Sequence, residues 1–293
     1  MAKVRKYLSK DGTIRISTVI STDLANDAFR YLEASPLAKV ITSRAMTAAV
    51  LMASQLKEGL SLSLNFQGNG PLKTIFASAS YDGSTRAYCE NRGAELPPGV
   101  RNVGAGLGNG ALEVALQQPH DRQPQTGAVE LLSGEIGDDV AYYLGQSQQI
   151  PSIVALAALP LDEGIEVAGG YIIELMPGYT DATVQKLENL SQMTGGLTDR
   201  IQQGATAEEL IDTYLMNFEF EEIEHPYEIQ YRCGCNIERV ERSLLLLGPT
   251  TLDDMIASSE DSEVRCEFCG KLYTLATDEL ISLRQTLPTT PLN

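Results

Sequence analysis

The sequence predicts an α+β fold in three parts: an N-terminal α+β core domain with an antiparallel sheet, a helical linker, and a small C-terminal four-cysteine domain. Three observations carry this. The 293-residue chain is 43% hydrophobic and 21% charged, which is material for more than one core at ~150 residues per domain. Period-two alternation recurs through the first half with no helices alternating regularly between the strands, which argues against a doubly wound sheet. Four of the five cysteines stand at 233, 235, 266 and 269.

Residues 14–20 alternate as a strand, and a helix follows over about 23–33. Ser35 and Pro36 supply an N-cap and a first-turn proline for a longer helix to about Lys57. Its apolar residues, from Leu37 and Val40 to Leu51 and Met52, follow helical spacing, and Gly59 ends it. From Leu60 the period is two: Leu60, Leu62, Leu64 and Phe66 point one way, Ser61, Ser63 and Asn65 the other. Turns at 68–71 and 81–83 carry this strand into two more, near 72–80 and through Cys89, giving a meander. Strand-like runs at 112–116, 127–131, 153–159 and 171–175, with a helix between Ile136 and Gln148, complete a domain over 1–178 that Pro177 and Gly178 close.

Residues 179–231 read as a helical, acidic regulatory linker, with helices over 180–193 and 206–218 separated by Thr194, Gly195, Gly196 and a short polar stretch. Residues 206–231 hold eight carboxylates (Glu208, Glu209, Asp212, Glu219, Glu221, Glu222, Glu224 and Glu228) and no Lys or Arg. Tyr214, Leu215, Met216, Phe218, Phe220 and Ile223 are interleaved with them. One reading is a solvated acidic face over a packed apolar one. The other is a conditionally ordered linker, held by its apolar face and easily released because like charges at this density repel.

Residues 232–293 carry Cys233-x-Cys235 and Cys266-x-x-Cys269, the second followed by Gly270 and Lys271. The two-residue gap folds both thiolates to one side, and Gly270 accepts the positive φ that closes the turn. Four soft thiolates suit one Zn²⁺ ion in a closed tetrahedral site. Between the pairs, Asn236 caps a helix with Ile237, Val240, Leu244 and Leu247 at steps of three and four and Gly248 as terminator. Residues 251–254 resemble the start of a second helix by a capping-box arrangement. A core this small rarely supplies more than ~3–5 kcal/mol, whereas a structural zinc contributes ~10–16 kcal/mol. The tail is therefore a zinc domain whose fold depends on its metal. Oxidation opposes that fold, because a sulfur in a disulfide is no longer a thiolate ligand. Cys266 and Cys269 can close a small ring, and Gly234 gives Cys233 and Cys235 the freedom a tight bridge demands.

Several function classes are excluded. The net charge is −17, and six basic against ten acidic residues leave the tail at −4, the wrong sign for nucleic acid. No run approaches the ~18 apolar residues of a membrane span, and the N-terminal residues lack a signal-peptide pattern, so no membrane partner and a cytoplasmic location are expected. No enzyme is expected either. His120 and His225 are the only near-neutral bases, and no GxxxxGK[ST] phosphate loop occurs. Gly145 and Ser147 lack the second glycine of a nucleophile elbow. Gly106, Gly108 and Ala111 fit GxGxxA but run into a strand pattern rather than a helix. His225 and Cys266 lack the flanking residues of a zinc deaminase. Cys89, alone on a strand, reads as a packing residue.

The chain resembles the redox-regulated heat-shock chaperones of the 33 kDa chaperonin family. The resemblance rests on Cys233-x-Cys235 and Cys266-x-x-Cys269 with their ~30-residue insert, on the helix from Glu238 to Gly248, and on the run from Cys266 to Tyr273. The stretch from Leu51 through Gly59 to Gly68, Gly70 and Leu72 is also similar. The resemblance implies an ATP-independent holdase that is inactive when reduced and zinc-bound. Peroxide or hypochlorous acid, particularly with heat, would form Cys233–Cys235 and Cys266–Cys269 disulfides, release zinc and unfold tail and linker. Cys266 and Cys269 would be the primary sensor, and the Cys233 pair would respond to linker unfolding. It further implies a homodimer when oxidised, unfolding proteins as clients and an ATP-driven foldase system downstream. The client surface expected here is Tyr214, Met216, Phe218, Phe220 and Ile223 with the sheet they cover. The alternative is a protein-binding adaptor with a permanent structural zinc site.

Overall fold

Asp11 and Gly12 turn the chain between β1 (Arg5–Ser9) and β2 (Ile14–Ile20), which pair antiparallel. Gly12 takes φ +72°. Asp11 accepts hydrogen bonds from Ser9 Oγ, Thr13 N–H and Thr13 Oγ1 at 2.5, 3.0 and 2.9 Å, and these hold its carboxyl below its ordinary pKa. The Asp-Gly pair is a hairpin signal, yet β1 is absent from the periodicity reading because its N-terminal basic residues obscure the alternation.

The structure is a computed structural model describing residues 2–119, 121, 123–193, 195–224, 228–258 and 261–287. The chain forms two compact units, Met1–Arg232 and Cys233–Asn293.

In the first unit, α1 (Thr22–Phe29) is shorter than expected and leads to α2 (Pro36–Ala53). Ser35 Oγ accepts from Ala38 N–H at 3.1 Å, with Pro36 in the first turn. Fifteen of the eighteen residues of α2 are buried, so it is an interior helix and not an amphipathic surface one. It ends at Ala53, short of Lys57, where Ser54 Oγ donates to Leu51 O at 2.7 Å.

The meander appears as β3 (Ser61–Gly68), β4 (Thr74–Ser80) and β5 (Ser84–Cys89), followed by β6 (Gly110–Gln117) and β7 (Gln125–Glu130). The glycine-rich stretch before β6 packs on the β3–β4 turn: a Cβ on Gly68 would lie 2.0 Å from the Leu107 carbonyl oxygen. Its glycines thus serve close backbone approach. After α3 (Gly137–Gln146), β8 (Ser152–Pro160) and β9 (Ile165–Leu175) pair antiparallel with each other, and β9 pairs with β2. Arg15 and Glu174 face each other in the β2–β9 register and form a two-pronged ion pair at 2.8 and 2.9 Å.

The segment after β9 begins with α4 (Asp181–Met193) and an unanticipated α5 (Leu197–Gln202). The helix expected over 206–218 is reduced to a 3-10 turn (Glu209–Ile211) and α6 (Asp212–Leu215). Residues 218–221 then alternate Phe with Glu, and β10 (Phe220–Ile223) pairs antiparallel with β1 and forms the edge of the sheet. β11 (Gln230–Tyr231) pairs parallel with β5.

The sheet orders are β10-β1-β2-β9-β8 and β11-β5-β4-β3-β6-β7. α2 lies in the core between them, where Ile41, Met46 and Leu51 join Leu64, Phe66 and Ile75 of one sheet and Ala168 and Ile172 of the other. The opposite face of the first sheet, with Tyr7, Ile14, Ile16, Tyr171 and Ile173, is covered by Leu187, Leu190, Ile201, Leu210, Ile211 and Tyr214. Residues 181–193 and 195–215 are therefore a packed layer of the first unit.

The second unit holds α7 (Ile237–Leu246), α8 (Pro249–Ala257), the antiparallel pair β12 (Ser262–Arg265) and β13 (Leu272–Leu275), and α9 (Thr277–Gln285). Asn236 caps α7 as expected, its side chain accepting from Arg239 N–H at 2.9 Å. α8 opens at Pro249 after Gly248, two residues before the expected capping box, because proline is well placed in a first helical turn. Among the described residues no helix is long and apolar enough to cross a membrane.

Candidate metal centre

Cys233 and Cys235 lie in the extended stretch that leads into α7, and Cys266 and Cys269 lie in the turn between β12 and β13. In that turn Gly270 N–H donates to Cys266 O at 2.8 Å, Cys266 N–H donates to Lys271 O at 2.9 Å, and Gly270 takes φ +71°. This is the knuckle geometry the Cys-x-x-Cys-Gly spacing demands. Gly234 has no positive φ. A Cβ there would stand 2.9 Å from Arg239 Nη1, the far end of a flexible side chain that can move aside.

The four sulfurs converge, all lying within 4.8 Å of one another. Cys233 Sγ is 3.6 Å from Cys266 Sγ, and Cys235 Sγ is 3.4 Å from Cys269 Sγ. A tetrahedral zinc site with ~2.3 Å bonds has sulfur–sulfur edges of ~3.8 Å. Four cysteines are therefore positioned to bind a metal ion, and a donor set of four sulfurs fits a soft or borderline cation. All edges of a tetrahedron are equivalent, so the short contacts between the knuckles do not select a disulfide pairing.

Burial pushes the Cys233 thiol well above its ordinary pKa. It pushes Cys269 up as well, against a hydrogen bond from Lys271 N–H. Burial opposes ionisation at Cys235 too, but hydrogen bonds from Tyr273 and the other three thiols outweigh it and bring its pKa to about 7. The N-terminus of α7, one residue away, favours a thiolate there. Tyr273 Oη donates to Cys235 Sγ at 3.1 Å, and this bond pushes the phenol up to about 12.

Tyr273 received no role from sequence reasoning. The available signal was its place in a strand where it and Leu275 point inward and Leu272 and Thr274 outward. Cys89 stands apart, buried on β5 with its thiol pushed up to about 11 by burial. His120 and His225 lie outside the described residues.

The structure separates the five expected client-surface residues. Tyr214 is fully buried against the first sheet, while Phe218 and Phe220 pack at the margin of the same core, edge to face at 6.2 Å. Lys186 Nζ lies 4.1 Å from the Phe218 ring centroid. Met216 is 77% exposed and Ile223 37%. Their carboxylate neighbours are not simply repelling one another, because cations arrive from outside the segment: Arg5 pairs with Glu208 and Glu222, Lys10 with Glu219, and Arg200 with Asp212. A count within 206–231 could not register them.

Fold and site define an α+β protein of packed antiparallel sheets joined to a small unit with a four-sulfur cluster positioned to bind a metal ion. The chain belongs to the family described as Hsp33 protein, whose model matches residues 3–276, and it is a chaperone of that family. It is 32% identical over 286 residues to the 33 kDa chaperonin of Clostridium acetobutylicum, covering 96% of each chain. It is 34% identical over 288 residues to the 33 kDa chaperonin of Trichodesmium erythraeum, covering 96% of this chain and 93% of that one. The crystal structure of the 33 kDa chaperonin from Thermotoga maritima superposes with a TM-score of 0.85 at 27% identity, covering 97% of this chain and 98% of that one.

Proposed function

We propose that this protein is an ATP-independent holdase controlled by oxidation of a zinc clasp, with Cys233, Cys235, Cys266 and Cys269 as its four ligands. The observation that carries the reading is a four-sulfur cluster in a unit whose described core has only six buried apolar side chains. A core of that size rarely holds more than ~3–5 kcal/mol. Bound zinc would supply cross-linking of the two knuckles and stabilisation of their thiolates.

Peroxide or hypochlorous acid can act on this donor set. With a hydroperoxide, Cys266 and Cys269 lose two electrons and form one S–S bond while the O–O bond breaks, and two protons complete two water molecules when the oxidant is hydrogen peroxide. Half of the donors are then gone. Cys233 and Cys235 follow by the same balance. With its cross-link lost the small unit unfolds, and release of the segment over 206–223 uncovers Tyr214, Phe218 and Phe220 and the sheet face beneath them. Unfolding proteins bind that apolar surface, with Met216 and Ile223 at its edge. Carboxylates on the released segment keep the open form soluble. Oxidised copies pair as a homodimer and pass clients to an ATP-driven foldase system.

The test measures zinc content and suppression of client aggregation before and after hydrogen peroxide with mild heating in the cytoplasmic pH range. Zinc release with gain of suppression is the expected result. Zinc retention with unchanged activity would favour an adaptor with a permanent metal staple. Replacing Cys266 with Ser should weaken zinc binding and loosen the small unit without oxidant.

A further inference from the structure

Tyr273 stands on β13 opposite Val264 of β12 and is 7% exposed, packed among Val240, Leu244 and Leu275. With the ring held by its neighbours, the hydroxyl has a defined position, donating to Cys235 Sγ at 3.1 Å. That bond crosses the clasp. β13 leaves the knuckle of Cys266 and Cys269, whereas Cys235 belongs to the other knuckle, 38 positions earlier. Lys271 Nζ lies 4.8 Å from the Tyr273 ring centroid, and a cation over the ring draws on its π density and strengthens the phenol as a donor.

A thiolate attacks a peroxide through a sulfur lone pair, at a rate set by its nucleophilicity and access. In the zinc-loaded protein all four ligand sulfurs are deprotonated, so their intrinsic nucleophilicity rather than their thiolate fraction ranks them, and a lone pair already engaged by an O–H is less available. We propose that Tyr273 is a positioning residue that engages the Cys235 sulfur and delays its capture by hydroperoxides, directing first attack to the Cys266 and Cys269 knuckle. This deepens the redox-clasp reading and rests on it.

In the favoured step a sulfur of Cys266 or Cys269 bonds to one peroxide oxygen, the O–O bond breaks, and the departing hydroxide or alkoxide takes a proton. The second sulfur of that knuckle then displaces hydroxide from the sulfenic acid. An S–S bond forms, the S–O bond breaks, and the hydroxide is protonated to water. Two electrons have passed from sulfur to peroxide. Tyr273 keeps its proton throughout and yields its bond only when Cys235 reacts.

The experiment uses the full chain loaded with zinc, substoichiometric hydrogen peroxide, rapid alkylation of remaining thiols, and peptide mass spectrometry of each cysteine over time. Tyr273→Phe should accelerate oxidation of Cys235 about fivefold, the rate equivalent of one ordinary net hydrogen bond. Oxidation of Cys266 and Cys269 should change little, so the order of the two knuckles narrows. Zinc stoichiometry and the melting curve should match the parent, a control that separates a tuning role from a structural one. If Tyr273→Phe fails to fold, a ring-fluorinated tyrosine at position 273 decides: it keeps the ring and strengthens the donor, and it should slow Cys235. Parental rates and order in a folded, zinc-bound variant would overturn this inference alone. A parent protein that takes up no zinc, or keeps it under peroxide, would overturn the redox-clasp reading and this inference with it.

Discussion

Arg5 Nε lies 2.7 Å from Glu222 Oε1, joining β1 to the acidic edge strand β10. The same guanidinium reaches Glu208 at 3.1 Å, so one cation holds two carboxylates from opposite ends of the covering segment. The pairs are substantially exposed, and such pairs contribute only up to ~1 kcal/mol each. Arg5→Glu turns both attractions into repulsions, and we expect amide exchange at 220–223 to accelerate about tenfold at low salt, equivalent to ~1.4 kcal/mol. Added salt should narrow the difference. Unchanged exchange would show that backbone pairing alone retains β10.

Acid should loosen the same strand. The hydrogen bond from Lys10, with its charge, holds Glu219 below its ordinary pKa, and Thr206 does the same for Glu209 through its N–H and hydroxyl. A carboxylate with a depressed folded-state pKa stabilises fully above its unfolded value, ~4.3 for Glu, and that contribution is lost as pH falls through the folded value. Lys10 is raised by the same bond, so its contribution persists until pH exceeds ~10.4. Amide exchange at 220–223, corrected for intrinsic rates, should therefore stay slow from pH 5 to 9 and quicken below pH 4 before the α2 core does. Equal loss of protection in both places would count against a locally held strand.

The elements legible in the sequence were those whose signals lie within a few residues: the meander of β3 to β5, the Ser35 and Pro36 start of α2, the Asn236 cap and the two knuckles. Misread elements were those decided at long range. β10 forms because the side of β1 away from β2 would otherwise lack a partner, and a window over 206–218 holds helix formers that only Tyr214 and its distant partners redirect. The four ligand candidates were visible because thiolate spacing is itself local chemistry. Their coordinating-sphere neighbour Tyr273 was not, since its partner Cys235 is 38 positions away. The oxidation-sensitive clasp follows from the thiolate chemistry of the four cysteines, whereas the resemblance to a known family supplied the holdase role, which no spacing rule contains.

Tyr214 is fully buried on the inner side of the covering segment and meets the Tyr171 ring edge to face at 5.9 Å. Removing a buried aromatic side chain costs ~3–5 kcal/mol, and here the cavity opens between sheet and cover. Tyr214→Ala should lower the urea midpoint and suppress client aggregation without oxidant. The two hydroxyls are 3.5 Å apart, a weak contact, so Tyr214→Phe should cost no more than ~1 kcal/mol and leave activity dependent on peroxide. A destabilised Tyr214→Ala variant with no oxidant-independent activity would argue that clients bind elsewhere.

Chelation should separate the two units energetically. The small unit has Val240, Leu244, Leu252, Tyr273, Leu275 and Leu280 as its described buried core, while the first unit is built on two larger cores. On the proposed zinc-clasp reading, withdrawing the metal would remove an apparent ~10–16 kcal/mol from the small unit, more than its own side chains offset. A strong chelator should therefore collapse the dispersed NMR signals of 233–287 while those of α2 and β3 to β6 keep their positions. Acid should act with the chelator, because protonation of the sulfurs competes with metal, and alkaline pH should oppose it. Dispersed signals from the small unit after complete, verified zinc removal would mean that its packing suffices without the clasp.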